Sequence, residues 1–129
     1  MLSQRRVHAT IPTADLAAAR AYYEGVLGFT PYQVLDTAVL YGAGEGTLFA
    51  VSRGSGTASG SHTQMAFTTP DIEAEVAELR ARGVNLLEYD LPGLRTVGGI
   101  APLGRSRAAW FADPEGNLIG VLQIAEPEG

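Results

Sequence analysis

No cysteine occurs in the 129 residues, so neither disulfides nor thiolate chemistry is available. Lysine is missing too. All nine basic residues are arginine, and fourteen Asp and Glu leave a net charge of −5. No basic run is longer than Arg5-Arg6, which excludes the footprint expected of a nucleic-acid or anionic-membrane binder. No apolar stretch comes near the ~20 residues that span a bilayer, and Met1 to Arg6 does not read as a signal peptide. Histidine is limited to His8 and His62, so few groups can ligate a metal or move a proton near neutral pH. What is present is 46% hydrophobic, enough for the core of a single domain spanning residues 1–129. A cytoplasmic protein is expected, with neither nucleic acid nor membrane as partner.

The chain repeats itself. Thr13-Ala14-Asp15-Leu16 recurs as Thr69-Pro70-Asp71-Ile72, 56 residues later. Each copy follows an alternating strand-like run and precedes an Ala-rich helical stretch that stops at a glycine, Gly28 or Gly83. Further on, Glu45-Gly46-Thr47-Leu48-Phe49-Ala50-Val51 pairs with Glu115-Gly116-Asn117-Leu118-Ile119-Gly120-Val121 at a distance of 70. The change of offset places a 14-residue insertion inside the second copy. Two copies are too few for a solenoid. They suit a pair of modules with a cavity between them.

Alternation predicts a strand over Val7–Ile11, and Thr13 or Asp15 can cap the helix that follows. Strands are expected at Thr30–Leu35, Ala38–Gly42 and Thr47–Arg53. The second copy predicts a strand over Thr63–Thr68, a helix capped by Asp71, and strands at Val84–Tyr89, Arg107–Ala112 and Asn117–Ile124. Residues 54–61 form a Gly/Ser linker between modules 5–53 and 62–125. Asp90–Ile100, with two Gly/Pro clusters and no periodicity, reads as a loop. The pattern is α+β with mostly antiparallel sheet.

Ile11-Pro12-Thr13-Ala14-Asp15-Leu16 followed by Tyr22-Tyr23-Glu24-Gly25-Val26-Leu27-Gly28-Phe29 resembles the opening of the vicinal oxygen chelate superfamily. Glyoxalase I, bleomycin-resistance proteins and extradiol dioxygenases belong to it. Trp110-Phe111-Ala112-Asp113-Pro114-Glu115-Gly116-Asn117 resembles its closing hairpin. The resemblance covers nearly the whole chain and implies two βαβββ modules whose curled sheets form a cup around a ligand cavity. It also implies pairing of modules between chains, and open sheet edges need covering; a C2 homodimer is expected.

Members with a metal ligate it from the first and last strands of each module. By motif spacing those positions are His8, Ala50, Gln64 and Gly120 here, and the offsets of 56 and 70 relate them in the same way. Two of the four carry no donor, whereas a catalytic site normally needs three protein ligands. No metal or other cofactor is therefore expected; the one rescue would join His62 to His8 and Gln64. Ala50 and Gly120 put space where carboxylates would stand, so glutamate at both would restore an octahedral set.

His8 and Gln64 can instead orient a ligand by hydrogen bonds, or satisfy each other and the backbone. His8 is also a candidate acid or base, without an orienting carboxylate beside it. Trp110 is either a pocket wall or core, and Arg95, in the inserted loop, either an anion clamp or a solvated charge. Phe49, Phe67 and Phe111 read mostly as core, as do Tyr22-Tyr23, and Asp113–Asn117 as a structural turn. The expected function is a metal-free protein binding an apolar or aromatic metabolite or drug in the cavity between the modules, of the bleomycin-resistance type. The alternatives are a divalent-metal glyoxalase-like lyase or dioxygenase and a metal-independent isomerase or lyase with His8 as acid or base.

Overall fold

A computed structural model describes residues 1–125. Strand β1 (Ala9–Thr13) leads into helix α1 (Leu16–Arg20), which continues as a π-helical segment over Ala21–Val26. Strands β2 (Pro31–Val34), β3 (Ala38–Gly42) and β4 (Leu48–Arg53) complete the first half. The second half runs β5 (Thr63–Thr68), α2 (Ile72–Ala81), a small hairpin of β6 (Asp90–Leu91) and β7 (Leu94–Arg95), then β8 (Ile100–Leu103), β9 (Ser106–Ala112) and β10 (Leu118–Gln123). Two four-stranded sheets result, in the orders β1-β4-β3-β2 and β5-β10-β9-β8. In each sheet the first strand lies parallel to the last, and the remaining pairs are antiparallel. This is the duplicated α+β architecture that the sequence repeat implies. Among the described residues, no helix is long and apolar enough to cross a membrane.

The repeated Thr-x-Asp motif is a capping device used twice. Asp15 accepts from the Ala18 N–H at 3.0 Å and Asp71 from the Ala74 N–H at 3.2 Å. The threonines hold the aspartates in place, Thr13 Oγ1 accepting from Asp15 N–H and Thr69 Oγ1 from Asp71 N–H, each at 3.2 Å. Asp15, not Thr13, is the cap proper. Both helices end at a glycine in the left-handed region, Gly28 at φ 80° and Gly83 at φ 86°. These glycines are 55 residues apart although the caps are 56 apart. The π-helical segment, with its wider turn, accommodates the one extra residue of the first copy.

Two expectations need correcting. Val84–Tyr89 is not a strand: it meets β9 through one backbone bond, from Leu87 N–H to the Trp110 carbonyl at 2.8 Å. Val84 is buried and Leu86 packs on the core, so their apolar side chains are satisfied without a ladder. The edge place belongs to β8. Asp90–Ile100, expected as a plain loop, contains the β6–β7 hairpin. Its Pro92-Gly93 turn puts Gly93 at φ 79°, which proline before glycine favours.

One core serves both halves. Ile11, Tyr23, Val39, Tyr41 and Val51 of the first and Ile72, Phe111 and Ile119 of the second are almost wholly buried in a single cluster. Phe29 stacks on Phe67 with ring centroids 5.5 Å apart, and Phe49 meets Phe67 at 5.8 Å. Phe49, Phe67 and Phe111 thus fill the core role that the sequence suggested.

A polar clamp also joins the halves. The buried Asp113 carboxylate accepts from Tyr23 O–H and Asn117 Nδ2–H, both at 2.8 Å. Its other oxygen accepts from the N–H groups of Glu115 and Asn117 at 3.0 and 2.8 Å. Asn117 Nδ2–H also donates to the Pro12 carbonyl at 2.8 Å, and Glu115 accepts from Ala14 N–H at 2.7 Å. Burial first, and the Asp113 charge second, push the Tyr23 hydroxyl far above the ordinary phenol range. The same two causes in the same order raise half-buried Tyr22 to about 12. The Asp113–Asn117 turn is structural, and its reach extends across the seam between modules.

Candidate functional site

At the other end of that seam the two modules part. A cleft of about 980 Å³ opens between the start of β1 (Val7, His8), the turn joining β3 to β4 (Ala43–Leu48) and the end of β5 (Ala66–Pro70). Phe49, Met65 and Phe67, whose rings and thioether back onto the shared core, supply apolar wall. Polar groups stand among them, with His8, Glu45, Thr47 and Thr68 all exposed to solvent. Among the described residues Glu45 is the one carboxylate lining the cleft, and no arginine does so. Arg5 and Arg6 line an adjoining hollow of about 400 Å³ that shares His8, Glu45 and Thr47 with the cleft, and the Arg6 guanidinium donates to the Gly46 carbonyl. A cleft of this size and character can hold a small molecule by apolar contact and orient it with a few polar groups.

The residues singled out in the sequence are spread over three places. His8 lies in the cleft, just before β1, and neither hydrogen-bonds Gln64 nor has a carboxylate partner among the described residues. Gln64 occupies a bulge, where the pairing of β10 with β5 jumps from Leu118–Thr63 to Ile119–Met65. Its Oε1 is buried with no hydrogen-bond partner among the described residues. Gly120 faces Ala66 across the same ladder and Trp110 across the next. Trp110 donates its indole N–H to Thr63 at 3.2 Å and meets Tyr89 edge-on, centroids 5.7 Å apart. Gln64, Gly120 and Trp110 therefore gather on the second sheet and do not line the cleft. Ala50, buried on the first sheet, pairs with Thr10. Arg95 is on the inserted hairpin, its guanidinium bound to Asp90 at 2.9 Å with both side chains at least three-quarters exposed. His62 is exposed and shares a hydrogen bond with Ser59.

The donor set does not fit the metal that the fold family implies. Ala50 and Gly120 offer no ligating atom, and the space expected at Gly120 is tight. A Cβ there would stand 3.2 Å from Thr63 Cγ2 and 3.3 Å from Ala66 Cβ, so those side chains would have to give by a few tenths of an ångström. Among the described residues no three His, Asp or Glu side chains cluster as a metal site would require.

Sequence reasoning missed Glu45 and the β5 residues Met65 and Thr68. The signal for Glu45 was present: it is the repeat partner of Glu115, 70 residues earlier.

A family model described as the Glyoxalase/Bleomycin resistance protein/Dioxygenase superfamily matches residues 5–121. Among solved structures, TnmS3, an antibiotic binding protein from Streptomyces sp. CB03234, is similar with a TM-score of 0.71 and 23% identity, over 97% of this chain and 99% of that one. A glyoxalase/bleomycin resistance protein from Catenulispora acidiphila gives 0.66 at 21% identity, covering 93% and 98%. A glyoxalase family protein from Enterococcus faecalis gives 0.70 at 18%, covering 95% and 100%. At such identities the likeness is one of fold. No curated protein matches the sequence.

Proposed function

We infer that this chain, which belongs to the glyoxalase/bleomycin resistance protein/dioxygenase superfamily, is a metal-free binder of a small apolar or aromatic molecule. The observation that carries this reading is the inter-module cleft of about 980 Å³, with Phe49, Met65 and Phe67 in its wall and His8 and Thr68 beside them. The antibiotic-binding protein with the same fold supports it by analogy. The metal-dependent alternative lacks ligands at Ala50 and Gly120. Acid–base catalysis by His8 lacks a group to orient the imidazole.

A second ligand contact, on the second sheet at Gln64 and Trp110 and apart from the cleft, belongs to the proposal as well, since the orphaned Gln64 Oε1 calls for a donor. So does a C2 homodimer. The edge strand β2 and the residue after it expose Tyr32, Val34 and Leu35, an apolar strip that suits a second copy better than water.

The test is fluorescence titration with N-pentyl dansylamide, an uncharged aromatic probe. Saturable one-site binding is expected, weakened at least tenfold by Ala66→Trp, which fills the cleft from an exposed strand position. Absence of saturable binding, or equal affinity in the variant, overturns the assignment of the cleft.

A further inference from the structure

The duplicated chain has two equivalent seam ends, and only one of them is closed. At the closed end Pro12, Ala14, Tyr23, Asp113, Glu115 and Asn117 make the clamp. The offsets of 56 and 70 carry these six to Thr68, Pro70, Leu79, Ala43, Glu45 and Thr47. Five of the six counterparts line the 980 Å³ cleft, and the sixth, Leu79, lines the smaller cavity of about 250 Å³ under α2. The cleft is thus the position of a second clamp that does not form.

The substitutions explain why it stays open. Leu79 and Ala43 have no polar side-chain atom with which to repeat the Tyr23–Asp113 bond. The Thr47 hydroxyl is too short to reach as Asn117 does, and donates within its own turn to the Gly44 carbonyl at 2.7 Å. Pro70 has no N–H to give, whereas Ala14 gives one to Glu115. Thr68 still offers the carbonyl that Pro12 uses, and Glu45 alone among the side chains keeps the chemistry of its counterpart. Its carboxylate has no hydrogen bond or ion pair among the described residues. Its backbone sits at φ 57°, the one non-glycine residue there with positive φ, in a conformation that side chains other than Asn and Asp rarely take.

Resting on the ligand-binding reading above, we propose that the cleft takes an aromatic molecule bearing an aliphatic amine, its ring against Phe49, Met65 and Phe67 and its N–H on the Glu45 carboxylate. The ligand then supplies the donor that Pro70 withholds, in the place that Ala14 N–H holds at the closed end. A protonated amine suits this position better than a neutral donor, because among the described residues Glu45 is the only carboxylate lining the cleft and no arginine lines it.

The test compares dansylcadaverine, which carries an alkylammonium, with N-pentyl dansylamide, which lacks it, by fluorescence titration at low salt. The amine is expected to bind the parent at least about threefold tighter, as befits a solvent-exposed ion pair. Glu45→Gln should erase that preference. The variant Ala43→Asp/Thr47→Asn/Pro70→Ala, which restores closing groups, should weaken both dyes at least tenfold; if it melts early, Ala66→Trp takes its place. Equal binding of the two dyes by the parent, or a preference that survives Glu45→Gln, overturns the amine assignment and leaves the ligand-binding reading standing. If neither dye saturates, both fall. If the closed or filled variant binds as the parent does, the site is not this cleft.

Discussion

Replacing Tyr23 by phenylalanine isolates one hydrogen bond between the two halves of the chain. The ring is fully buried, 5.8 Å from Tyr41 and 5.6 Å from Phe49, and phenylalanine keeps that packing. Only the O–H donated to Asp113 at 2.8 Å is lost. Asp113 retains Asn117 Nδ2–H and two backbone N–H groups, so the charge is not stranded. A buried bond to an ionised acceptor is worth about 1.5–3 kcal/mol. For a domain of this size that lowers the melting temperature by roughly 5–10 °C. Circular dichroism melts and urea titrations at pH 7 measure it, with an unchanged urea m-value expected because the exposed surface is the same. Tyr22→Phe is the control, because the Tyr22 hydroxyl has no hydrogen bond among the described residues, and should stay within about 0.5 kcal/mol of the parent. A Tyr23→Phe protein melting within about 1 °C of the parent would refute the clamp as a stabilising element.

The Glu24 carboxylate is held below its ordinary value of 4.5, first by its hydrogen bond to Arg20 and also by the bond from Tyr41 O–H. A lowered carboxylate stabilises the fold above its unfolded pKa, and that stability is lost as pH falls through the folded value. Glu24→Gln should therefore flatten the fall of melting temperature below about pH 4.5, and an unchanged acid profile would count against this. Gly120→Glu should destabilise by at least about 2 kcal/mol, because its Cβ would press on Thr63 and Ala66 and its charge would be buried unpaired. Combined with Ala50→Glu it should give no nickel binding by calorimetric titration, and stoichiometric uptake would show that the second sheet does open a metal site. Light scattering at micromolar concentration should report a dimer; a monomer would leave the Tyr32–Leu35 strip unexplained.

The repeat made most of the architecture legible, because its physical content is local. Asp15 and Asp71 cap, Gly28 and Gly83 stop, and alternation marks the strands, each within a few residues of its cause. Val84–Tyr89 misled because an apolar alternating run packs equally well without a ladder once Ile100–Leu103 takes the edge. The position of the cleft was not legible from the metal-ligand spacing. A bulge at Gln64 shifts the register of β5, and the clamp at Asp113 decides which end of the seam closes. Both are contacts between segments far apart in the chain, and no local pattern carries them. Glu45 was the exception, visible through its repeat partner had the comparison been extended to what Glu115 does.

Each four-stranded sheet is drawn wholly from one contiguous stretch, residues 9–53 or 63–123. No backbone ladder crosses residues 54–61, so a chain cut there would keep every sheet pairing within one fragment or the other. What holds the fragments together is then chemically a protein–protein interface, made of aromatic side chains and the clamp around Asp113. The linker's contribution is effective concentration: it keeps a bimolecular association permanently in the unimolecular regime. Residues at that interface therefore answer to the rules of partner recognition as much as to those of a folding core.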